Sequence, residues 1–313
     1  MLATIQPSVL STPTPPVTMA ASSSKAESQP RLFHSVNQYL LPCDDEEGER
    51  LQLQHQVIKR LYEGRLVLAP IDLTQPLFIL DCGTGAGVWL LDVARAAHPS
   101  SVLHGIDISP RLFPLASRPA NVSLAVTSVT ALPAAWTGRF DLVHQRLLYL
   151  ALQRTQWEAA VAGIFRVLRP GGWVQLGEAG RWRAGPAAER LSGLIGRLLA
   201  SHGLAWDVDV LPRLLKEAGF VDITIEERDT PMAGEEGRDA RVNLMNVFRS
   251  MKTPFMQTEG LVGQGSGPRS STSGSVRSEA ELDALFDAAE REYEVTKNSS
   301  AMFYMIYARK PEN

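Results

Sequence analysis

The chain has 313 residues, of which 44% are hydrophobic and 21% are charged, enough for one large domain or two small ones with a sizeable core. Its formal net charge is −3 and it has no basic stripe, so a partner with a nucleic-acid backbone is not expected. Cys43 and Cys82 give no disulfide framework, which is typical of a reducing compartment and indicates a cytoplasmic protein. No apolar run is long enough to predict a membrane-spanning helix.

The amino-terminal segment differs in composition from the rest of the chain. Residues 1–30 are rich in Ser, Thr, Pro and Ala, and Lys25 is their only basic residue. A signal peptide needs a basic start and an apolar centre, and a mitochondrial presequence needs arginines. Neither pattern is present, so we expect 1–30 to be a disordered tail and 31–313 to form the folded domain.

The next segments alternate between two hydrophobic patterns. Acids followed by apolar residues at helical spacing predict a helix at about 44–64, which would form a helical N-terminal cover ahead of the sheet. The predicted strands are 77–82, 101–107, 121–127, 140–144, 172–178, 220–230 and 301–310. The predicted helices among them are 88–98, 155–168 and 186–201. This alternation predicts an α/β fold with a parallel, doubly wound sheet, and the continuous apolar strands indicate that both faces are covered.

About 70 residues separate the last two predicted strands, far more than an ordinary connection needs. They contain a helical pattern at 238–251, a low-complexity loop at 263–275 and a second helix at 278–294. Ser278 and Glu281 have the spacing of a capping box at the start of that second helix. We therefore expect a lid insertion at about 231–300, over the ligand-binding edge of the sheet.

A glycine-rich loop follows the first predicted strand in the segment FILDCGTGAGV. Its glycines, which allow a sharp turn and a close approach to a ligand, are Gly83, Gly85 and Gly87. A dinucleotide fingerprint needs a glycine where Val88 stands, and a Walker loop needs Gly-Lys-Ser/Thr, so the loop does not favour a pyrophosphate. The second strand ends in Asp107, where a carboxylate can accept hydrogen bonds from both hydroxyls of a ribose. The predicted ligand contains a ribose and no phosphate group that the glycine loop would have to bind.

These motifs resemble those of the class I S-adenosylmethionine-dependent methyltransferases. ILDCGTGAG is similar to their first motif, HGIDIS to their second and RVLRPGGWVQLGE to their strand-five motif, in the same order. More narrowly, YLLPCDDEEGERLQLQH, FDLVHQRLL and FYMIYARK resemble fungal methyltransferases of secondary-metabolite pathways. The resemblance covers about 33–313. It implies a Rossmann-like, doubly wound seven-strand sheet with an antiparallel last strand, the cofactor S-adenosylmethionine and a small-molecule natural product methylated on O or N.

Three other functions fit parts of this pattern. Fungal nuclear regulators of secondary metabolism share the fold and act through protein partners, but they predict basic clusters that the tail lacks. A protein that binds the cofactor and catalyses a rearrangement or cyclisation would carry the same motifs. A dehydrogenase would have to tolerate Val88 in place of the third glycine.

The resemblance also implies a set of cofactor-binding residues. They are Tyr39, Asp81, Cys82, Gly83, Thr84, Gly85, Gly87, Asp107, Ile108, Ser128, Val129 and Gln145. Asp81 matches the acid near the methionine amino group in the family, or it caps the next helix. Ser128 stands where an acid commonly contacts the adenine, and Tyr39 resembles a cofactor-cover residue or is a packing tyrosine. Cys82 fits a small buried residue better than a nucleophile, because no base is expected beside it.

The candidate catalytic residue is His144, at the end of the fourth predicted strand, where Gln145 and Arg146 follow it. It could take a proton from a substrate hydroxyl or amine. Alternatively, these three residues form the floor of the cofactor pocket and bond the methionine carboxylate or the backbone. Glu178, at the end of the fifth predicted strand, would orient an amine or cap the next segment. No paired carboxylates lie near strand four, so we expect no metal ion.

Several apolar side chains after strand five fit either a substrate pocket or the core. They are Trp182, Trp206, Phe248, Met251, Phe255 and Met256.

Overall fold

The computed structural model describes residues 32, 39–114, 118–204, 208–258, 260–261 and 275–312. Its strands are β1 (Phe78–Cys82), β2 (Val102–Asp107), β3 (Val122–Val126), β4 (Phe140–Arg146), β5 (Leu168–Arg183), β6 (Val221–Pro231) and β7 (Ser300–Arg309). They form one sheet in the order β3-β2-β1-β4-β5-β7-β6, in which β7 runs antiparallel to both neighbours. The predicted doubly wound, seven-strand sheet with an antiparallel last strand is confirmed. The predicted tail at 1–30, most of the low-complexity loop and Trp206 lie outside the described residues.

The helices are α1 (Asp45–Leu61), α2 (Val88–Ala96), α3 (Arg154–Val167), α4 (Pro186–Ser201), α5 (Val210–Glu217), α6 (Arg238–Ser250), α7 (Lys252–Gln257) and α8 (Glu279–Val295). Asp44 caps α1 by accepting a hydrogen bond from the backbone N–H of Glu47 at 3.1 Å. Acids in the first turn and Lys59 and Arg60 in the last turn suit the helix dipole, as the sequence predicts. None of the helices within the described residues is long and apolar enough to cross a membrane.

The central strands are buried on both faces, which explains their unbroken apolar sequences. Leu80 and Val143 pack on one face, in a cluster with the apolar side of α3. Ile79 and Leu142 pack on the other face, in a cluster with α2. All four side chains are 0% exposed. Helices on both faces of parallel strands account for this pattern, and they leave the carboxyl ends of the strands as the open edge.

The long segment before β7 folds into α6, α7 and α8. Their apolar sides share one cluster with α4 and with part of α1, and Trp182, Phe248, Met251 and Phe255 lie buried in it. These four side chains are therefore core residues of the described structure.

Two strands are longer than their sequence patterns predict. β4 continues to Arg146, which pairs with Gly177 of β5, so Gln145 and Arg146 belong to the strand instead of following it. β5 continues to Arg183 because its pairing with β7 extends past Glu178. Glu178 therefore lies inside the strand, and the prediction that it ends the strand is wrong.

Candidate functional site

A cavity of about 300 Å³ lies at the carboxyl ends of the parallel strands. The loops after β1, β2, β3 and β4 contribute to its walls, together with α1 and α6. This is the position at which open α/β sheets bind ligands, because the strand order reverses between β1 and β4. The lining includes ten of the residues selected from the sequence: Tyr39, Asp81, Gly83, Thr84, Gly85, Asp107, Ile108, Ser128, Val129 and His144.

The glycine loop has a backbone that only glycine adopts readily. Gly83, Gly85 and Gly87 have φ values of 69°, 51° and 70°. A Cβ atom on Gly83 would lie 2.7 Å from Cδ2 of Leu148, so a side chain there would collide with the opposite wall. Gly87 is not in the lining; it precedes α2 as its N-cap residue.

Asp107 connects the glycine loop to the end of β2. Its Oδ2 accepts a hydrogen bond from the backbone N–H of Gly85 at 2.9 Å, and its Oδ1 accepts one from the N–H of Ser109 at 3.1 Å. The carboxylate therefore fixes the loop and also lines the cavity. A carboxylate offers about four acceptor positions, which is compatible with the predicted ribose contact.

The loop after β3 forms a further part of the wall. Ser128 Oγ accepts a hydrogen bond from the backbone N–H of Thr130 at 3.2 Å and so begins a short turn. Val129 in that turn is buried, whereas Ile108 after β2 is 46% exposed. Apolar side chains on two neighbouring loops are suited to contact the flat faces of an adenine ring.

Asp81 links β1 to β4 beneath the cavity. Its Oδ1 lies 2.7 Å from Nδ1 of His144, and its Oδ2 accepts a hydrogen bond from Thr84 Oγ1 at 2.6 Å. The carboxyl is 3% exposed. Asp81 does not cap α2, because that helix begins at Val88, behind Gly87.

The ring of His144 is buried and held in one orientation. It stacks on Trp89 with ring centroids 3.6 Å apart and an interplanar angle of 8°. Burial lowers the pKa of His144, so the imidazole is neutral at neutral pH. The Asp81 carboxylate accepts a hydrogen bond from Nδ1–H of the ring, so the lone pair of the neutral imidazole is on Nε2. Nε2 has no hydrogen-bond partner among the described residues.

Gln145 and Cys82 lie behind the cavity wall. Gln145 is 1% exposed and donates through Nε2 to Oε1 of Glu178 at 2.6 Å. Cys82 is 0% exposed, and burial raises the pKa of its thiol well above the ordinary value. Neither side chain lines the cavity, so any effect of these two residues on a ligand is indirect.

Glu178 supports the turn that follows β4. It accepts hydrogen bonds from the backbone N–H groups of Leu148 at 2.9 Å and Tyr149 at 3.4 Å, both of which line the cavity. Burial raises the pKa of Glu178 to about 7. The sequence patterns give no sign of this contact, because the partners stand about 30 positions apart.

The cavity also has cationic lining residues that are absent from the predicted set. Arg50 of α1 pairs with Glu47 at 2.6 Å, and Arg146 at the end of β4 lies close enough to Asp81 for that carboxylate to favour its charged form. Of these, Arg146 is considered from the sequence as a floor residue of the cofactor pocket, whereas no sequence pattern indicates Arg50. Among the described residues, no cluster of His, Cys, Asp or Glu could hold a metal ion.

Comparison with known proteins agrees with this geometry. A family model described as a methyltransferase domain matches residues 79–172. N-methyltransferase sirN of Leptosphaeria maculans is 35% identical over 286 residues, covering 87% of this chain and 95% of the relative. The chain belongs to the class I S-adenosylmethionine-dependent methyltransferases.

Two further proteins resemble this methyltransferase. N-methyltransferase verN of Clonostachys rogersoniana is 38% identical over 205 residues, which cover 63% of this chain and 70% of the relative. A solved phosphoethanolamine N-methyltransferase 2 of Haemonchus contortus shares the fold, with a TM-score of 0.50, 17% identity and 83% of this chain covered. This methyltransferase spans about half (53%) of that longer structure.

The residues around the cavity fit the family's cofactor, S-adenosylmethionine. The loop after β1 has no room for a side chain at Gly83, so its backbone can approach a ligand closely. The carboxylate of Asp107 stands at the end of β2, as a ribose requires. The sequence patterns therefore predict this wall of the cavity, whereas Arg50 and the contacts of Glu178 emerge only from the folded chain.

Proposed function

We propose that this methyltransferase moves the methyl group of S-adenosylmethionine to a nitrogen atom of a small-molecule natural product in fungal secondary metabolism. The observation that carries the proposal is the mixed lining of the cavity at the strand ends. The glycine loop and Asp107 stand on its β1 and β2 side. Apolar residues from elsewhere complete the lining: Leu41, Leu51, Leu148, Leu150, Leu152 and Val247.

The size and character of the cavity support a small acceptor. A volume of about 300 Å³ is at the lower end of the range for small-molecule pockets. The lining combines apolar side chains with polar groups that could orient a ligand, as small-molecule sites do. The two fungal relatives sirN and verN are both named N-methyltransferases, which supports nitrogen as the acceptor atom.

The chemistry requires alignment above all. When bound, S-adenosylmethionine would supply a methyl group on a sulfonium. The acceptor nitrogen bonds to the methyl carbon as the carbon–sulfur bond breaks, and S-adenosylhomocysteine is the product. The chain contributes by holding both molecules in line and by excluding water, and such orientation supplies much of the rate. The rigid glycine loop and the supported turn at Leu148 and Tyr149 serve this purpose.

His144 is the group that takes the proton from the acceptor nitrogen. Its neutral ring carries a lone pair on Nε2, and Asp81 fixes the tautomer at 2.7 Å and stabilises the charge that forms. In hydrolases a carboxylate orients a histidine base in the same way.

The test is an assay of the purified chain with S-adenosylmethionine and pairs of cyclic acceptors that differ only in an N–H or O–H group. We expect the added methyl group on nitrogen, detected by mass and located by fragmentation. In His144→Gln we expect a fall in kcat of about 10²–10⁴-fold with unchanged affinity for S-adenosylmethionine. His98→Gln is the matched control, since His98 does not line the cavity.

Three outcomes would contradict parts of this proposal. Methylation of the O–H acceptors alone would overturn nitrogen as the acceptor atom. Weaker cofactor binding in His144→Gln with little change in kcat would make His144 a floor residue of the cofactor pocket. Cofactor binding with no methylated acceptor, together with a captured nuclear partner, would favour a regulator.

A further inference from the structure

Trp89 covers one face of the His144 ring. It stands in the first turn of α2, and its side chain belongs to the cavity lining although the residue is only 4% exposed. The two rings are nearly parallel, with an interplanar angle of 8° and centroids 3.6 Å apart. Aromatic pairs usually take offset or edge-on arrangements, with centroids about 4.5–7 Å apart. Such a close, nearly parallel pair indicates that the surrounding chain fixes both rings.

The indole of Trp89 is held in place from behind. Its Nε1–H donates to the backbone carbonyl of Leu66 at 3.0 Å, and the same carbonyl accepts a hydrogen bond from Nε2 of Gln175 at 3.1 Å. Oε1 of Gln175 accepts from the backbone N–H groups of Leu68 at 2.6 Å and Ala69 at 3.2 Å. Gln175, which is 0% exposed, therefore attaches the segment that orients the indole to β5.

The residues that fix the two rings come from one row across the sheet. His144 of β4 pairs with Asp81 of β1 on one side and with Gln175 of β5 on the other. Asp81 holds the edge of the imidazole through Nδ1 at 2.7 Å. Gln175 acts on the face of the same ring, because it holds the carbonyl to which Trp89 donates. The imidazole is thus constrained at its edge and at its face.

Proton transfer to His144 creates a positive charge on this ring. When Nε2 accepts the proton of the methylated nitrogen, an N–H bond forms on the ring, the N–H bond of the acceptor breaks, and the charge passes to the imidazole. The Asp81 carboxylate favours that charge, whereas the Arg146 guanidinium opposes it. The paired residue of β5 is the uncharged Gln175, and the first turn of α2 has no acid. A further stabilising contact must therefore come from an uncharged group.

The face of an indole is such a group. It is the electron-rich side of the ring, and it attracts a cation that lies within about 6 Å of the ring centroid. The attraction is stronger where water is excluded, and His144 and Trp89 are only 1% and 4% exposed. A neutral imidazole carries no charge for the indole to attract, so the stacking favours the charged ring over the neutral one.

We propose that Trp89 is a positioning residue for His144: its indole fixes the plane of the imidazole and stabilises the charged ring that forms when Nε2 takes the proton. This role rests on the proposed function of His144 as the proton acceptor. It divides the support of the base between two residues. Asp81 determines which nitrogen carries the hydrogen, and Trp89 determines the plane of the ring.

The first experiment is an NMR titration of the histidine rings in the wild type, Trp89→Phe and Trp89→Leu. The chain has six histidines, and the resonance that is missing in His144→Gln identifies the one of interest. Both replacements keep the site apolar, but Phe has a weaker π face and Leu has none. We expect the titration of His144 to move to lower pH by about one pH unit in Trp89→Leu and by less in Trp89→Phe, because the charged ring loses its contact with the indole.

The second experiment measures methyl transfer by the same chains. We expect kcat to fall by about tenfold in Trp89→Leu and part of the rate to return in Trp89→Phe, with unchanged affinity for S-adenosylmethionine by calorimetry. Trp157→Leu is the matched control, since Trp157 is equally buried, at 5% exposed, but lies in α3 and outside the cavity lining. It should lower the Tm without changing the titration of His144. Thermal denaturation of every variant verifies that it is folded under the assay conditions.

Three results would overturn the proposal. One is the same titration of His144 in all three chains, or no titration in any of them, since the indole would then not stabilise a charged ring. Another is a titration at higher pH in Trp89→Leu, which would show that the indole acts only by excluding water. The third is an equal loss of cofactor affinity and kcat, which would indicate a general effect on the cavity.

The NMR titration needs no methyl acceptor. If the wild type methylates none of the nitrogen acceptors, the proposed function fails, while the titration still decides whether Trp89 stabilises the charged ring.

Discussion

At the scale of single residues, one buried carboxylate determines the conformation of a cavity wall. Leu147 has a φ value of 59°, which is unfavourable for a residue with a side chain, so the turn after β4 needs support from outside. Glu178 provides it through the N–H groups of Leu148 and Tyr149. The shape of the cavity therefore depends on the protonation of this residue.

We expect methyl transfer to slow by about tenfold as the pH falls through about 7. Burial raises the pKa of Glu178 to about 7, and a protonated carboxyl accepts the two backbone N–H groups more weakly than a carboxylate does. In Glu178→Gln the rate should be lower and should not show this titration. Steady-state rates from about pH 5.5 to about pH 8.5 measure both effects. If the rate of Glu178→Gln still falls through the same pH interval, this role is contradicted. The control is Glu158→Gln, which changes an exposed carboxylate on α3.

The same carboxyl should affect folding stability in the opposite direction. Its pKa in the folded chain is raised above the ordinary 4.5, so its contribution to stability is fully present below about pH 4.5 and is lost as the pH rises through about 7. The Tm of the wild type relative to Glu178→Gln should therefore decline across this interval. Activity and stability then respond to pH in opposite senses.

The residues of the site differ in how well sequence reveals them. Gly83 and Asp107 follow from local requirements, since a sharp turn needs glycine and a strand end places its acid at the ligand edge. Arg146 and its partner His55 are 91 positions apart, and no spacing rule connects them. Contacts of this kind appear only once the strands and α1 are packed.

At the scale of helices, the start of α8 depends on a cap. Ser278 Oγ accepts a hydrogen bond from the N–H of Glu281 at 3.2 Å, as the sequence predicts. The reciprocal half of the predicted box differs, because the Glu281 carboxylate accepts from the N–H of Arg277 instead. α8 packs against α4 and α6, so its first turn anchors the segment between β6 and β7.

Ser278→Ala should lower the free energy of unfolding by about 1 kcal/mol, the usual contribution of an N-cap side chain. The Tm would fall by a few degrees, measured by thermal denaturation monitored by circular dichroism. Ser278→Asp keeps an acceptor at the cap and should retain the Tm of the wild type. An equal loss in both variants would show that the cap does not stabilise α8.

The sequence predicts helices and strands where a local pattern specifies them. It does not predict strand ends that are set by pairing with neighbouring strands. The apolar runs identify all seven strands, but the ends of β4 and β5 depend on pairing with Gly177 and with β7. α7 is a separate helix that the sequence patterns do not predict. Pro254 lies in the first turn of α7, where a missing N–H costs little.

At the scale of the whole molecule, the strand order explains why the cofactor site is where it is. The order reverses between β1 and β4, which places the glycine loop, Asp107, Asp81 and His144 around one opening. The alternation of strands and helices predicted this architecture from the sequence. The rest of the cavity lining comes from α1, α6 and the turn after β4, which no sequence pattern brings together.

The most direct test of the account is calorimetric titration of the purified chain with S-adenosylmethionine and, separately, with NADH. We expect S-adenosylmethionine alone to bind, and Asp107→Ala to weaken it by at least about 100-fold, because the carboxylate holds Gly85 and lines the cavity where the ribose contact is predicted. Asp72→Ala, which changes a carboxylate in the loop before β1, should bind like the wild type. Binding of NADH in place of S-adenosylmethionine, or an Asp107→Ala variant with wild-type affinity, would contradict the assignment of the site.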